Sequence, residues 1–285
     1  MIPCYRDSET PHTIKDCVEK ASGYHDINVG VFWQLSEDDN IMPNDLHGLN
    51  VRNLFCGHNE SLGCCWARHR LSTEIYKDED YILSIDSHTR FVQNWDKILV
   101  SLFNKHKGKH IISTYPNAYE PPDKLLNSRP FKIQAHAQTS DGLPLLSPIE
   151  CTGLMNLNHY IAGGFLFGDR FMFKDVPYDP HLYFFGEEVT LSARFYTSGY
   201  SIWTPGQVIL YHYYVRESSP HHWTDNMSSD QVAFRASSVE RAKYIMGLDS
   251  YNPNLTEISK YGLGTLRTLN DYYSATKIKM LPLGK

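Results

Sequence analysis

Residues 2–34 hold a strand, a helix and a second strand in that order, and this alternation restricts the chain to few architectures. Ile2-Pro3-Cys4-Tyr5 reads as a short apolar strand, and Tyr5-Arg6-Asp7 ends it. Thr10 and Pro11 form an N-cap and first-turn pair. Ile14, Cys17, Val18 and Ala21 then recur at i, i+3, i+4 and i+7, and Gly23 closes the helix. The run INVGVFWQ is the next strand. Strand and helix alternating this early imply a parallel, doubly wound α/β sheet. Such sheets bind their ligands beyond the carboxyl ends of the strands.

The segment Tyr81 to Phe91 places chemistry at such an end. Ile82-Leu83-Ser84-Ile85 reads as a buried parallel strand that delivers Asp86-Ser87-His88. Side chains alternate along an extended chain, so Asp86 and His88 should point the same way. One hard oxygen and one imidazole on one face suit a divalent cation such as Mn²⁺. A metal with open positions can carry a diphosphate leaving group. The triplet alone is equally compatible with an N-capping Asp beside a surface His.

The rest of the chain continues the pattern. Gln34 to His47 is polar and acidic, a loop, and Val51 to Cys56 is a third strand. Cys64 to Lys77 and Trp95 to Phe103 are helical, and HIISTYP is a strand. Residues 116–150 are rich in Pro, Asn, Ser and Asp and read as a linker-like insertion near an acceptor side. HYIAGGFLFG reads as a strand containing Gly163-Gly164, a sign of close backbone approach. Gly186-Glu187-Glu188 opens a helix whose first-turn carboxylates gain from the helix dipole. A later strand ends at His212, which could be a third metal ligand beside Asp86 and His88. Ser228 to Met246 and Thr265 to Ala275 read as two C-terminal helices around the loop YGLG.

Composition narrows the class. The chain has 285 residues and a formal charge of -5, with no Lys/Arg tract, so a general nucleic-acid binder is excluded. The six cysteines form no C-x-x-C pair, and neighbours such as Cys64 and Cys65 rarely bond to each other. Free thiols in a reducing compartment are the simplest account. No signal peptide and no apolar stretch of membrane-spanning length are apparent. The expectation is either a cytoplasmic chain or one from which a membrane anchor has been removed.

The segments YRDSE, CWAR, YILSIDSHTRFVQNWD, STYP, IAGGFLFG, VPYDPHLYFFGEE, ARFYTSGY, HHW and YGLGTLRTL occur in order over nearly the whole chain. Together they resemble the family of GlcNAc-transferases related to the cytoplasmic hydroxyproline GlcNAc-transferase. D-S-H with a later His also resembles the polypeptide N-acetylgalactosaminyltransferases. The resemblance implies a GT-A-like fold in one domain over 1–285, with a nucleotide-binding half (1–115) and an acceptor-side half (116–285). It further implies a UDP-sugar donor, Mn²⁺ or Mg²⁺, retention at the anomeric carbon, and a protein or glycan hydroxyl as acceptor.

Roles follow beside that resemblance. Asp86, His88 and His212 would hold the metal, with Ser87 at the donor between the first two. Tyr5 and Arg6 would contact the uridine, Arg6 also lying near phosphate. Arg68 in CWAR sits where the family has a donor-contacting basic residue. Gly163 and Gly164 would let the backbone approach the sugar. Glu187 or Glu188 would hydrogen-bond sugar or acceptor hydroxyls, and His222-Trp223 could form a lid over UDP. Two rivals stand: an inverting transferase with Glu187 or Glu188 as base, and a catalytically silent nucleotide-sugar or glycan-binding protein.

Overall fold

The computed structural model describes residues 1–41, 46, 48–216, 219–250, 252 and 255–278. The expected loop from Gln34 to His47 therefore lies partly outside the described residues, and its first two positions belong to a strand. The order begins β1 (Ile2–Tyr5), α1 (Thr10–Glu19), β2 (Val29–Leu35), β3 (Val51–Gly57), α2 (Cys64–Arg70), β4 (Tyr81–Ile85), β5 (Thr89–Phe91) and α3 (Trp95–Phe103). It continues with β6 (His110–Ser113), β7 (Asn117–Glu120), β8 (Lys124–Leu125), β9 (Phe131–Gln138), β10 (Pro144–Glu150), β11 (Asn156–Asn158), β12 (Phe165–Asp169) and α4 (Met172–Asp175). The last part holds α5 (Glu187–Thr197), β13 (Ser201–Thr204), β14 (Leu210–His212), α6 (His222–Asp225), α7 (Ser229–Ile245), α8 (Ile258–Tyr261) and α9 (Leu269–Thr276).

β1, β2 and β3 form a parallel sheet in the order β1-β2-β3, and β11-β13-β6-β12-β4 form a five-stranded one. Hydrogen bonds at Met1 join them: its terminal amine donates to the Leu83 carbonyl at 2.7 Å, and Ile85 N–H donates to the Met1 carbonyl at 3.1 Å. The sheet is less uniformly parallel than the βαβ opening predicts. β12 runs antiparallel to both β4 and β6, and β11 antiparallel to β13. No hairpin joins β12 to either neighbour: β6 and β12 are separated by residues 114–164, which carry β7, β8 and the β9–β10 pair.

Both faces of the joined sheet are covered, which explains the unbroken apolar runs. Leu83, Ile85, Ile112, Phe165 and Phe167 pack on the side of α1 and α3 with Ile14, Leu99 and Leu102. Their sequence neighbours Ile82, Ile111 and Leu166 point the other way, onto Leu191 and Phe195 of α5. Residues 116–150 are not a structureless linker. They carry β7, β8 and an antiparallel hairpin of β9 and β10. Among the described residues no helix is long and apolar enough to cross a membrane.

A second sheet, β5-β14-β7-β8, stands at the carboxyl end of the main one. β5 follows directly from β4, and β7 from β6. The strand ends of the main sheet thus feed a small platform, and the platform positions the site.

Candidate active site

Three ligand-bearing side chains meet where β4 stops. Asp86 and His88 do not lie in one extended strand, as alternation predicts. β4 ends at Ile85, and residues 86–88 bend before β5 begins. The Thr13 hydroxyl of α1 pins this bend, lying 2.8 and 3.0 Å from the Ser87 and Thr89 carbonyls and accepting from Thr89 N–H at 2.9 Å. His212 arrives from β14, which pairs antiparallel with β5 so that His212 stands opposite Thr89. Tyr213 N–H donates to the His88 carbonyl at 3.1 Å and fixes the approach.

His88 Nε2 and His212 Nε2 are 2.9 Å apart, and His212 Nε2 is 3.1 Å from Asp86 Oδ2. The ligand atoms of all three residues lie within 4.8 Å of one another. Two imidazole lone pairs and a carboxylate oxygen this close repel unless something positive stands between them. Neighbouring ligands of an octahedral cation with bonds of about 2.1 Å are separated by about 3 Å, and both measured separations fit that value. His212 Nδ1 is buried without a hydrogen-bond partner, so nothing behind the ring holds its proton there, and Asp86 Oδ2 in front of it acts on Nε2 alone. The donor set therefore fits a divalent cation held by three protein ligands beside an open cavity. Two His and one carboxylate alone would equally serve non-haem iron chemistry, so the surroundings must discriminate.

Those surroundings are a buried charge relay. Arg68, 2% exposed, bonds Glu187 Oε1 through Nη1 (2.7 Å) and Asp86 Oδ1 through Nη2 (2.5 Å). The Cys64 thiol donates to Glu187 Oε2 at 3.3 Å. Burial pushes the Asp86 carboxyl up, but the Arg68 charge and the His212 hydrogen bond outweigh it and hold Asp86 well below the usual carboxylate range. Burial also lowers His88, against the pull of Asp7, which favours the neutral imidazole a metal needs.

Gly163 and Gly164 form a turn before β12 rather than part of the strand. A Cβ at Gly164 would stand 2.6 Å from Asp86 Oδ2, and one at Gly163 3.1 Å from Arg68 Nη1. The glycines thus allow close approach to the acidic cluster itself. Gly163 N–H donates to Glu188 Oε1 at 2.8 Å, and the Tyr115 hydroxyl donates to Glu188 Oε2. Burial pushes Glu188 up to about 7; these two hydrogen bonds oppose the rise, and the Glu187 and Asp86 charges add to it. Gly186, at φ 94, turns the chain so that both glutamates open α5 toward this corner.

A cavity of about 320 Å³ opens over the cluster, lined by Tyr5, Ser87, Cys64, Asp86, His88, His212, Arg216 and Trp223 among others. A second cavity of about 350 Å³, beside Met1 and Tyr81, contains none of the three clustered ligands. The Tyr5 ring lies 4.9 Å from the His222 ring, and its hydroxyl donates to Asp225 at 3.0 Å. Arg6 does not line the cavity. Its guanidinium is held by Asp39 (3.0 Å) and Asp225 (2.9 Å), and the cation that lines the cavity is Arg216. The Ser87 hydroxyl donates to Asp7 (2.5 Å). His222 is buried, 2.8 Å from the Tyr183 hydroxyl and 2.9 Å from the Ser61 carbonyl, so it anchors its segment. Trp223 is 45% exposed and stacks on His221. Of the expected pair, only Trp223 has the freedom of a lid residue.

Sequence reasoning missed Asp7, Arg216, Cys64 and Tyr115. Asp7 carried a signal, since it ends the first strand, where ligands collect. The others lie on segments whose path only the tertiary fold reveals.

A family model described as Glycosyltransferase (GlcNAc) matches residues 42–281. No curated protein sequence matches the chain significantly. Among solved structures, the crystal structure of GalNAc-T7 with UDP, GalNAc and Mn²⁺ superposes with a TM-score of 0.66 at 17% identity, over 98% of this chain and 54% of that one. The chain thus spans about half the length of that structure. S. aureus TarS 1-349 superposes with a TM-score of 0.49 at 12% identity, over 90% of this chain and 74% of that one. The likeness to GalNAc-T7 is one of fold, an α/β architecture of the GT-A type.

Proposed function

Given that this chain belongs to the glycosyltransferase (GlcNAc) family, we propose that it moves GlcNAc or a related sugar from a UDP-sugar to a hydroxyl, with retention at the anomeric carbon. The acceptor is a protein residue such as hydroxyproline, or a glycan, in line with the family resemblance to the cytoplasmic hydroxyproline GlcNAc-transferase. The observation that carries the reading is the triangle of Asp86, His88 and His212 at a strand end, with separations of 2.9 and 3.1 Å and an open side.

A divalent cation, Mn²⁺ or Mg²⁺, held by those three residues supplies charge neutralisation for a departing diphosphate. The chain's own residues do the rest. Tyr5, beside His222, frames the nucleobase end of the cavity. Arg68 holds Asp86 and Glu187 in one geometry. Gly163 and Gly164 leave room for the sugar. Glu187 and Glu188 orient sugar or acceptor hydroxyls, and Trp223 covers the mouth. Residues 1–115 form the donor half and 116–285 the acceptor half of one domain. Six free thiols support a reducing, cytoplasmic setting.

A second reading has one observation in its favour. Glu188, pushed up to about 7, is suited to act as a general base. That would make the enzyme inverting. One experiment separates these readings from each other and from a silent binding protein. UDP release is measured over a panel of UDP-sugars, with and without Mn²⁺, and the early product is examined by NMR. Mn²⁺-dependent release from UDP-GlcNAc with an α-anomeric product supports the proposal. A β-anomer moves the base role to Glu188, and no release from any donor leaves the binding protein.

A further inference from the structure

We propose that Asp7 is a positioning residue that fixes the tautomer of His88 and thereby makes His88 Nε2 a cation ligand. The inference rests on the cation-site reading above and extends it to a residue outside the ligand set.

Arg6, in the left-handed region at φ 48, turns the chain inward after β1. Asp7 is carried to a position only 2% exposed, directly behind the bend that holds Ser87 and His88. Its two oxygens are fully engaged. Oδ1 accepts from Glu9 N–H at 3.0 Å. Oδ2 faces the Ser87 hydroxyl at 2.5 Å, His88 Nδ1 at 2.7 Å and Arg216 Nη2 at 3.2 Å.

A guanidinium can only donate. An oxygen that pairs with it, and also takes the Ser87 hydroxyl, is an acceptor. His88 Nδ1 must then carry the hydrogen. A neutral imidazole has one N–H, so His88 Nε2 is bare, and it is Nε2 that stands 2.9 Å from His212 Nε2 in the triangle. Without Asp7 the two tautomers of His88 would compete. The Nε2–H form would aim a hydrogen at the place where the cation belongs. Carboxylates behind metal-binding histidines act this way generally, and losing one costs about 10–100-fold in metal affinity. Arg216 lines the cavity and shares the same oxygen, so Asp7 also ties the segment after β14 to the ligand set.

The test uses two readouts that do not require turnover. The first is the ¹⁵N spectrum of the histidines in wild-type protein in EDTA, with His88 assigned by comparison with His88→Ala. The expected state has hydrogen on Nδ1 and a bare Nε2; hydrogen on Nε2 overturns the inference. This readout stands even if Asp7 variants fold poorly. The second is the affinity for Mn²⁺ alone, followed by the EPR signal of the free ion, for wild type, Asp7→Asn and His88→Ala. Asp7→Asn keeps the shape but offers His88 an amide N–H. It should weaken Mn²⁺ by about 10–100-fold and shift His88 toward the Nε2–H form. A purely structural role would lower the melting temperature without changing the tautomer of the folded protein. If His88→Ala loses Mn²⁺ and Asp7→Asn stays within about threefold of wild type, Asp7 has no such role. If His88→Ala leaves Mn²⁺ affinity unchanged, the cation site itself is wrong and the inference falls with it.

Discussion

Arg68 brings one positive charge into a pocket where two carboxylates, Asp86 and Glu187, share it. Removing the guanidinium would leave Glu187 buried and Asp86 half-buried without their cation. Arg68→Ala should therefore cost about 3–5 kcal/mol of stability, read by urea denaturation, and a loss below about 1 kcal/mol would contradict the pairing. Glu188 makes the opposite kind of demand. Its folded carboxyl titrates near 7 against 4.5 for a free one, so the fold favours the neutral acid. Its contribution is fully present below pH 4.5 and is lost as pH rises through about 7. Glu188→Gln, which cannot ionise, supplies the reference. The stability of wild type relative to this variant should fall by on the order of 2 kcal/mol between about pH 5 and pH 8, after allowing for partial exposure. A difference that does not change with pH would show Glu188 ionised throughout. The two glutamates also diverge in function from mere helix-dipole partners. Glu187→Gln and Glu188→Gln should each keep the fold and UDP affinity. At least one, with Glu187 the more sensitive, should lose transfer by about a hundredfold through misplaced reactants. Wild-type rates in both would remove them from the reaction.

The turn before β12 is the element that closes on Asp86. Gly164→Ala would push a methyl group to 2.6 Å from Asp86 Oδ2. Asp86 must then loosen its bonds to Arg68 and His212, so the melting temperature should fall as well. UDP affinity in Mn²⁺ should drop by about tenfold or more as the triangle opens. Gly163→Ala, with contacts of 3.1–3.3 Å, should be milder; equal affinities in wild type and Gly164→Ala would refute the account of this turn. This element also marks what could be read in the chain beforehand. β1 and α3 follow their expected spans, Ile2–Tyr5 and Trp95–Phe103, β3 runs one residue past Cys56 to Gly57, and α5 starts at Glu187 as expected, because hydrophobic period and punctuation agree locally there. The convergence of Asp86, His88 and His212 was legible as three strand-end residues. Alternation, which predicts that Asp86 and His88 point the same way along one strand, does not bring them together: the bend at 86–88 does, and the pairing of β14 with β5 adds His212. The Gly-Gly pair looked like strand because a bend followed at once by Phe-Leu-Phe leaves no polar gap. The hairpin of β9 and β10 is hidden by Pro and polar residues, and its buried Ile133 and Leu143 pack with Met246 and Leu248 far along the chain. Arg6 looked like a phosphate ligand by type, and only its partners Asp39 and Asp225 reveal it as a tie.

Across the whole molecule, the main sheet supplies strand ends, the small sheet turns one histidine back onto another, and the His222 segment closes the side. These parts come from residues as far apart as Tyr5 and Asn226, which are hydrogen-bonded at 2.8 Å. A site assembled over such distances should respond as one unit. A cation site formed by Asp86, His88 and His212 would serve to hold a nucleoside diphosphate. The direct test is UDP affinity by calorimetry, in Mn²⁺ and in EDTA, for wild type and for Asp86→Ala, His88→Ala and His212→Ala. Wild type should bind UDP at least about tenfold more tightly in Mn²⁺. Each single variant should lose that gain, and the triple variant should lose little more, since the ligands act together. Equal affinity of wild type in Mn²⁺ and EDTA, or a metal-dependent gain that survives in Asp86→Ala, would contradict the account.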